Sequence, residues 1–251
     1  MALYDFAAPR LHVDRPLSAE HTFDLERGPS NYLLNVLRLR DGDAVLVFNG
    51  RDGEWRAILS TAGRRSASLT LAERVRDQPS AADLLYMFAP LKHARLDYMV
   101  QKTVEMGVSA LKPVFTRRTV ASRVNGERMR ANAIEAAEQC GILTVPAILP
   151  AEPLEPALRS LDPDRLLVVC DEDAPLSSPL DALGNPGPAR SLAVLIGPEG
   201  GFAPEERAEI LARPNVVRLS LGPRILRADT AAVAALAIVQ ATMGDWRTGR
   251  G

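Results

Sequence analysis

The most informative residues are glycines that follow a short apolar run. Leu192–Ile196 is almost entirely apolar, and Gly197-Pro-Glu-Gly-Gly201 comes directly after it. Glycine lets a ligand approach the backbone closely, and open α/β sheets bind ligands at the carboxyl ends of their strands. The stretch matches neither the phosphate-binding GxxxxGK[ST] pattern nor the dinucleotide-binding GxGxxG pattern. By itself it indicates either a ligand-binding loop or a structural turn.

A second glycine-bearing loop lies within Leu219-Ser-Leu-Gly-Pro-Arg-Ile-Leu-Arg-Ala-Asp-Thr-Ala231. It also stands between a strand-like and a helix-forming segment, and Asp229 or Thr230 can cap the helix. Arg224 and Arg227 flank two apolar residues. Such arginines either contact an anionic ligand or remain solvated at the surface. Two loops of this kind at neighbouring strand ends predict one shared pocket.

Basic side chains form a third group of interest. Lysine occurs only at positions 92, 102 and 112, and arginine supplies the rest of the 30 basic residues. Arginine suits bidentate phosphate contacts and base stacking, although a biased genome composition would produce the same excess. The net charge of −1 argues against a uniformly basic nucleic-acid binder. Between residues 92 and 118, the candidates for phosphate contacts are Lys92, Lys102, Arg117 and Arg118.

The first part of the chain is predicted to be β-rich. Ala44–Phe48, Glu54–Leu59 and Ala67–Val75 have strand composition, and hairpin-type Asn-Gly and Asp-Gly turns separate the first two. Short strands joined by tight turns favour a small barrel. The polar stretch Arg74–Ala82 is predicted to be a linker.

The remainder alternates between strand and helix patterns, which predicts an α/β layer with a mainly parallel sheet. Asp173–Arg190 is rich in proline and glycine and is predicted to be a surface loop. The predicted strands are Leu84–Ala89, Ser109–Phe115, Arg165–Cys170, Leu192–Ile196 and Val216–Leu219. The predicted helices are Arg95–Met106, Arg128–Cys140, Pro204–Ala212 and Thr230–Met243.

Several functional classes are disfavoured. The N-terminus does not have the pattern of a signal peptide, and no apolar stretch has the ~20 residues that a bilayer requires. Cys140 and Cys170 have no metal-ligand spacing, which suggests buried thiols in a reducing cytosol. His12, His21 and His93 are scattered. We therefore expect a cytoplasmic protein with no metal site and no membrane association.

The chain resembles a known family in several ordered motifs. IGPEGGF, LGPRILRADTA, K-x-x-R-L-D-x-M-V-Q-K-x-x-E-M-G-V and EAAEQCG are similar to the RsmE-type methyltransferases of 16S ribosomal RNA, in the SPOUT superfamily. Val36-Leu-Arg-Leu-Arg-x-Gly42-Asp43 also matches, so the resemblance runs nearly from end to end. Several motifs in the same order are far more specific than any one of them.

The resemblance implies an α/β protein with two domains. Residues 1–75 would form a PUA-like, RNA-binding β-barrel. Residues 76–251 would form a SPOUT methyltransferase domain with a trefoil knot, through which the protein would form a homodimer. The implied reaction is methylation of uridine N3 in small-subunit ribosomal RNA with S-adenosyl-L-methionine. The implied cofactor-binding residues are Ile196, Gly197, Gly200, Gly201, Leu219, Leu221, Gly222, Ile225 and Leu226.

The resemblance also suggests catalytic roles. Uracil N3 must lose a proton before it can accept a methyl group, and Arg227 and Arg224 would stabilise the resulting anion. Asp229, where the family often has glutamate, would either orient an arginine or accept the proton. The orienting role is favoured because a free carboxylate is a weak base. The predicted RNA-binding residues are Arg38, Arg40, Lys92, Arg117 and Arg118.

Some alternatives stay open from the sequence. The stretch Asn31–Asn35 departs from the family, which often has histidine there, so RNA contacts in this region are uncertain. A non-catalytic ribosome-assembly factor could retain the same fold, and an α/β enzyme could bind another nucleotide at the first glycine loop. The substrate would be small-subunit ribosomal RNA, with an assembled subunit favoured over naked RNA.

Overall fold

The computed structural model describes residues 8–63, 66–80, 82–174, 178–184 and 191–247. These residues divide into two compact units. The first unit holds the described residues up to Ser80 together with Ile134–Val145. The second unit holds those between Ser80 and Ile134 and those from Pro146 onward. The first unit therefore includes a segment that is distant from it in sequence.

The first unit is built on a five-stranded sheet with the strand order β1-β3-β4-β5-β2. β1 pairs with β3 in parallel, and the other pairs are antiparallel. In β4 the buried Ala57 and Leu59 alternate with exposed residues, as a half-buried strand requires. Two register shifts between β4 and β5 bend the sheet. The strands are β1 (Arg10–His12), β2 (Thr22–Asp24), β3 (Ala44–Phe48), β4 (Glu54–Thr61) and β5 (Ala67–Arg76).

A short helical segment closes this unit. Helix α1 (Arg27–Asn31) continues into a π-helical turn, Tyr32–Val36, which buries Leu33 in the core of the unit. Arg38 follows with φ of 58°, a left-handed conformation that is uncommon for a residue other than glycine. Sequence periodicity did not predict these elements, because they are too short for a helical repeat to show.

A buried ion-pair network explains why β5 extends beyond the predicted Val75 into the predicted linker. Glu54 accepts hydrogen bonds from Arg10 Nε (3.0 Å) and Arg76 Nε (2.6 Å). The Arg76 guanidinium also donates to the Gly141 carbonyl at 2.9 Å. The side chains of Arg10 and Glu54 are each only 2% exposed. The network therefore holds the end of β5 in the sheet.

The second unit contains a parallel sheet with the strand order β12-β10-β11-β6-β7-β8, and β9 pairs separately with β7. All of its strand pairs are parallel, which confirms the predicted architecture. Every residue of β11 is buried, as expected for a central strand covered on both faces. The strands are β6 (Leu84–Phe88), β7 (Ala110–Phe115), β8 (Ala147–Ile148), β9 (Glu152–Pro153), β10 (Leu166–Cys170), β11 (Leu192–Ile196) and β12 (Val216–Leu219).

All four of the predicted helices are present. Part of the predicted loop Asp173–Arg190 forms a short helix, whereas residues 175–177 and 185–190 lie outside the described residues. Gln240 is fully buried, and its Nε2 donates to the Met106 carbonyl at 2.7 Å, which joins the ends of the second and last helices. The helices are α2 (His93–Glu105), α3 (Gly126–Cys140), α4 (Leu154–Ser160), α5 (Pro179–Leu183), α6 (Pro204–Leu211) and α7 (Ala228–Thr242).

The start of α7 differs from the prediction. The helix begins at Ala228 rather than Thr230, so Arg227 is the residue that precedes it and Asp229 lies in its first turn. Neither residue takes the N-cap position, but Asp229 Oδ1 accepts a hydrogen bond from the first-turn N–H of Thr230 at 2.9 Å. The Asp229 side chain has another partner, a guanidinium of α2.

Within the described residues, no helix is both long and apolar enough to cross a membrane.

Candidate active site

A cavity of about 390 Å³ lies at the carboxyl ends of β10, β11 and β12. These strands are neighbours and run in parallel, so the loops that follow them meet at one edge of the sheet. Both glycine-bearing loops contribute to this cavity. Its lining residues are Cys170, Asp171, Glu172, Asp173, Ile196, Gly197, Pro198, Glu199, Gly201, Phe202, Arg207, Leu219, Ser220, Leu221, Gly222, Pro223, Arg224, Ile225, Leu226, Ala228 and Ala231.

All of the predicted cofactor-binding residues except Gly200 line this cavity. A Cβ atom on Gly200 would instead lie 3.6 Å from Arg118 Cδ, an ordinary packing distance. Ile225 lines the cavity with 96% of its surface exposed. The structure therefore gathers the two predicted segments into one wall and leaves Gly200 outside it.

The glycines at positions 197 and 201 are required by close contacts. A Cβ atom on Gly197 would lie 2.8 Å from the Phe202 ring. Gly201 has φ of 69°, and a Cβ atom there would lie 2.8 Å from Glu172 Oε1. A larger residue would displace the ring or the carboxylate, so the sequence of this loop follows from its packing.

The second loop offers its backbone to a ligand. Within the described residues, the N–H and C=O groups of Leu221–Leu226 make no hydrogen bonds to the protein. Backbone polar groups that are removed from water need partners, so a molecule bound in the cavity can supply them. Leu219, Leu221 and Leu226 add apolar surface to the same wall. Such a wall suits a flat, partly polar ring system.

Arg95, at the start of α2, forms a bridge to both loops. Its Nε and Nη2 donate to Asp229 Oδ2 and Oδ1 at 3.0 and 3.2 Å, and its Nη1 donates to Glu199. We call this group, Arg95 with Asp229 and Glu199, the Arg95 bridge. It connects the first glycine loop with the first turn of α7. Arg95 was not predicted as a site residue, although it is the arginine of the K-x-x-R-L-D motif.

The bridge affects how readily Asp229 could accept a proton. The hydrogen bonds from Arg95 hold the pKa of Asp229 below its ordinary value, and that of Arg95 is raised in return. A carboxylate with a lowered pKa is a weaker base, so proton acceptance by Asp229 is disfavoured. The Asp229 carboxylate is paired with Arg95 rather than with Arg224 or Arg227.

Arg224 and Arg227 are both exposed, and neither guanidinium forms a hydrogen bond or an ion pair with any described residue. Arg224 lines the cavity. Arg227 does not, although its neighbours Leu226 and Ala228 do. Both guanidinium groups are therefore available to a ligand or substrate.

The turn after β7 is hydrogen-bonded to the first glycine loop. Arg118 Nη1 donates to the Gly200 carbonyl at 2.6 Å. Arg117 Nη1 donates to Glu205 at 2.7 Å, and the Arg117 N–H donates to the buried Glu206 carboxylate.

Of the predicted phosphate contacts in the second unit, only Lys92, which is exposed just before α2, has no side-chain partner among the described residues.

Arg38 and Arg40 lie in the first unit, beside a separate cavity of about 480 Å³. Neither guanidinium forms a hydrogen bond or an ion pair with the described residues. The predicted RNA-binding residues are therefore divided between the two units. The residues lining this cavity are Leu34, Asn35, Arg38, Leu39, Arg40, Asp41, Thr61 and Gly63.

The loop after β10 contains polar residues that were not predicted as part of the site. Asp171 is buried and accepts hydrogen bonds from Arg207 (3.1 Å) and Arg218 (2.8 Å). Burial opposes its ionisation, but the Asp173 N–H and the two arginines outweigh that effect and lower its pKa. Burial raises the pKa of the Cys170 thiol to about 12, so this thiol is unreactive at neutral pH. These residues shape the cavity.

The fold and the cavity define a class of protein, and comparison with known proteins agrees. A family profile described as an RNA methyltransferase domain matches residues 78–240, and an RNA methyltransferase PUA domain matches residues 29–72. The chain is thus an RNA methyltransferase family member with an N-terminal PUA-like unit. Within that class it belongs to the ribosomal RNA small subunit methyltransferase E family.

Individual relatives cover most of the chain. The ribosomal RNA small subunit methyltransferase E of Rickettsia conorii is 30% identical over 92% of this chain and 94% of its own length. The Bacillus subtilis protein of the same name is 28% identical over 87% and 89%. A crystal structure of the Neisseria gonorrhoeae protein of that name, bound to S-adenosyl methionine, has a TM-score of 0.85 and 28% identity. It covers 95% of this chain and 99% of that one.

Proposed function

We propose that the protein transfers a methyl group from S-adenosyl-L-methionine to N3 of a uridine in small-subunit (16S) ribosomal RNA. The observation that carries the proposal is the cavity of the second unit, where two glycine-bearing loops meet beside the unpaired Arg224 and Arg227. Support comes from relatives named as small-subunit methyltransferases and from a structural neighbour with S-adenosyl methionine bound.

The cavity fits this cofactor in size and chemistry. Its volume lies within the ~300–1,000 Å³ typical of small-molecule sites. The free backbone groups of Leu221–Leu226 suit the adenine ring edge, and the leucines of this loop suit its faces. Because Gly197 and Gly201 have no side chains, the opposite wall leaves space for the ligand. The predicted cofactor residues Ile196, Gly197, Gly201, Leu219, Leu221, Gly222, Ile225 and Leu226 would therefore hold the adenosine, with Gly200 supporting the loop from outside.

The candidate catalytic residues are charged side chains that have no partner among the described residues. The bound cofactor would supply an activated methyl group on a sulfonium. Arg227 would stabilise negative charge on a uracil oxygen as N3 loses its proton to solvent water, with Arg224 as a second candidate. Asp229 would act through the Arg95 bridge by fixing the first turn of α7, directly after Arg227. Since N3 lies on the base-pairing edge, the target base would have to be unpaired or flipped out.

RNA contacts are proposed on both units. Alanine at Arg38, Arg40, Arg117 and Arg118 together should weaken binding across RNA sequences and flatten its salt dependence, because fewer phosphate counterions are released. Binding isotherms at several salt concentrations measure this. We expect Arg38 and Arg40 to account for most of the loss, since Arg117 and Arg118 already have protein partners. Unchanged affinity and salt slope in the quadruple variant would remove these residues from the RNA surface.

A homodimer is also proposed. Exposed apolar side chains lie at α7 and on elements beside it: Ile225 precedes the helix, Leu180 lies on α5, which packs against it, and Trp246 follows it. A second copy would cover such surface. Light scattering should then give twice the monomer mass at micromolar concentration, whereas a stable monomer would contradict the proposal.

The finer features of the family are proposals as well. We propose a trefoil knot in the second unit because the sequence motifs resemble those of the RsmE-type SPOUT family. By the same reasoning the enzyme would act in the cytoplasm on the assembled small subunit rather than on naked RNA.

The direct test uses purified protein, labelled S-adenosylmethionine and small subunits that lack the modification. Label should appear in the 16S RNA. Cofactor binding without transfer would favour a non-catalytic assembly factor. Competition by ATP or NAD, but not by S-adenosylhomocysteine, would favour an enzyme that uses a different nucleotide.

A further inference from the structure

Most of the charged side chains that line the cavity of the second unit are paired. Asp171 and Asp173 accept hydrogen bonds or ion pairs from Arg207 at 3.1 and 3.2 Å. Glu199 belongs to the Arg95 bridge. Two charges of opposite sign are left over, the Glu172 carboxylate and the Arg224 guanidinium. Neither forms a hydrogen bond or an ion pair with any described residue.

The Glu172 carboxylate lies against the first glycine loop. Its Oε1 would be 2.8 Å from a Cβ atom at Gly201, so the carboxylate is directly beside this loop. The residue lines the cavity and is exposed. A charge on the wall of a cleft interacts more strongly with a ligand than one on an open surface, because the cleft focuses its electric field.

Given the proposed function, we infer that Glu172 recognises the positive charge of S-adenosylmethionine. The cofactor has two cationic groups, the α-ammonium of its methionine end and the sulfonium, and either would be attracted by a carboxylate. Arg224 on the same cavity repels cations. The two unpaired charges therefore favour a bound orientation in which the cationic groups of the cofactor lie closer to Glu172 than to Arg224.

The test is calorimetric binding of three ligands to wild-type protein and to Glu172→Gln, which keeps the size of the side chain and removes its charge. S-adenosylmethionine carries both cations, S-adenosylhomocysteine only the ammonium, and methylthioadenosine neither. Glu172→Gln should weaken S-adenosylmethionine binding roughly tenfold and leave methylthioadenosine binding unchanged. The unchanged ligand also shows that the variant is folded. Glu209→Gln, on α6 and outside the cavity lining, is the control and should bind all three ligands normally.

S-adenosylhomocysteine distinguishes the two cations. A matching loss for this ligand identifies the ammonium as the partner, and no loss identifies the sulfonium. Equal weakening of all three ligands, or unchanged S-adenosylmethionine binding, would overturn the inference while leaving the cofactor assignment in place. Wild-type protein that binds none of the three would refute the proposed function itself.

Discussion

Replacement of Arg227 by alanine is expected to lower the single-turnover rate of methyl transfer roughly a hundredfold or more, the effect of losing one oxyanion donor. Arg227 is exposed and precedes α7, and its guanidinium has no partner among the described residues, so this group is free to meet the substrate. Charge on the uracil develops only as the reaction proceeds, and the interaction is therefore stronger in the transition state. Cofactor affinity should change little, because Arg227 does not line the cavity.

Variants at and near this position sharpen the test. Arg227→Lys should restore part of the rate, since it returns the charge without the guanidinium fork. Arg159→Ala, at an exposed ion pair on α4, should leave the rate unchanged. A normal rate for Arg227→Ala at saturating RNA and cofactor would make Arg227 a structural residue and would leave Arg224 as the candidate.

The second large effect concerns stability. Glu54→Gln should lower the free energy of unfolding of the first unit by about 3–5 kcal/mol, because it removes the carboxylate that neutralises the buried Arg10. The penalty arises because the desolvated Arg10 guanidinium loses its ion pair with Glu54, while the packing is nearly unchanged. Denaturant titration followed by the fluorescence of Trp55, which lies beside Glu54 in β4, measures it.

The same sheet offers a matched control. Glu73 forms an ion pair with Arg56 at 3.5 Å, but both side chains are more than half exposed. Glu73→Gln should therefore cost no more than about 1 kcal/mol, as is usual for surface pairs. Similar losses for Glu54→Gln and Glu73→Gln would mean that the buried network contributes no more than a surface contact.

Much of the fold could be predicted because its elements are locally encoded. The strands of the parallel sheet are short apolar runs, and glycines mark the ends of β11 and α2. The shared cavity followed from the rule that parallel strands bring their carboxyl ends together. The strands β1, β2, β8 and β9 could not be predicted, since segments of two or three residues show no period.

The details of the site were harder to predict because its partners are far apart in the sequence. Arg95 and Asp229 are separated by 134 positions, and no spacing rule joins them. The sequence therefore left two roles for Asp229 and did not show that its partner is Arg95. Glu172 was overlooked for a similar reason, because a single acidic residue in a loop carries no pattern. Its proximity to Gly201 appears only in three dimensions.

The most direct test of the proposed function is mass spectrometry of 16S ribosomal RNA from cells with and without the gene. We predict that one uridine carries an N3-methyl group only when the gene is present. The wild-type gene should restore this modification, and the Arg227→Ala gene should restore little of it. Identical 16S methylation in cells with and without the gene would contradict the proposal.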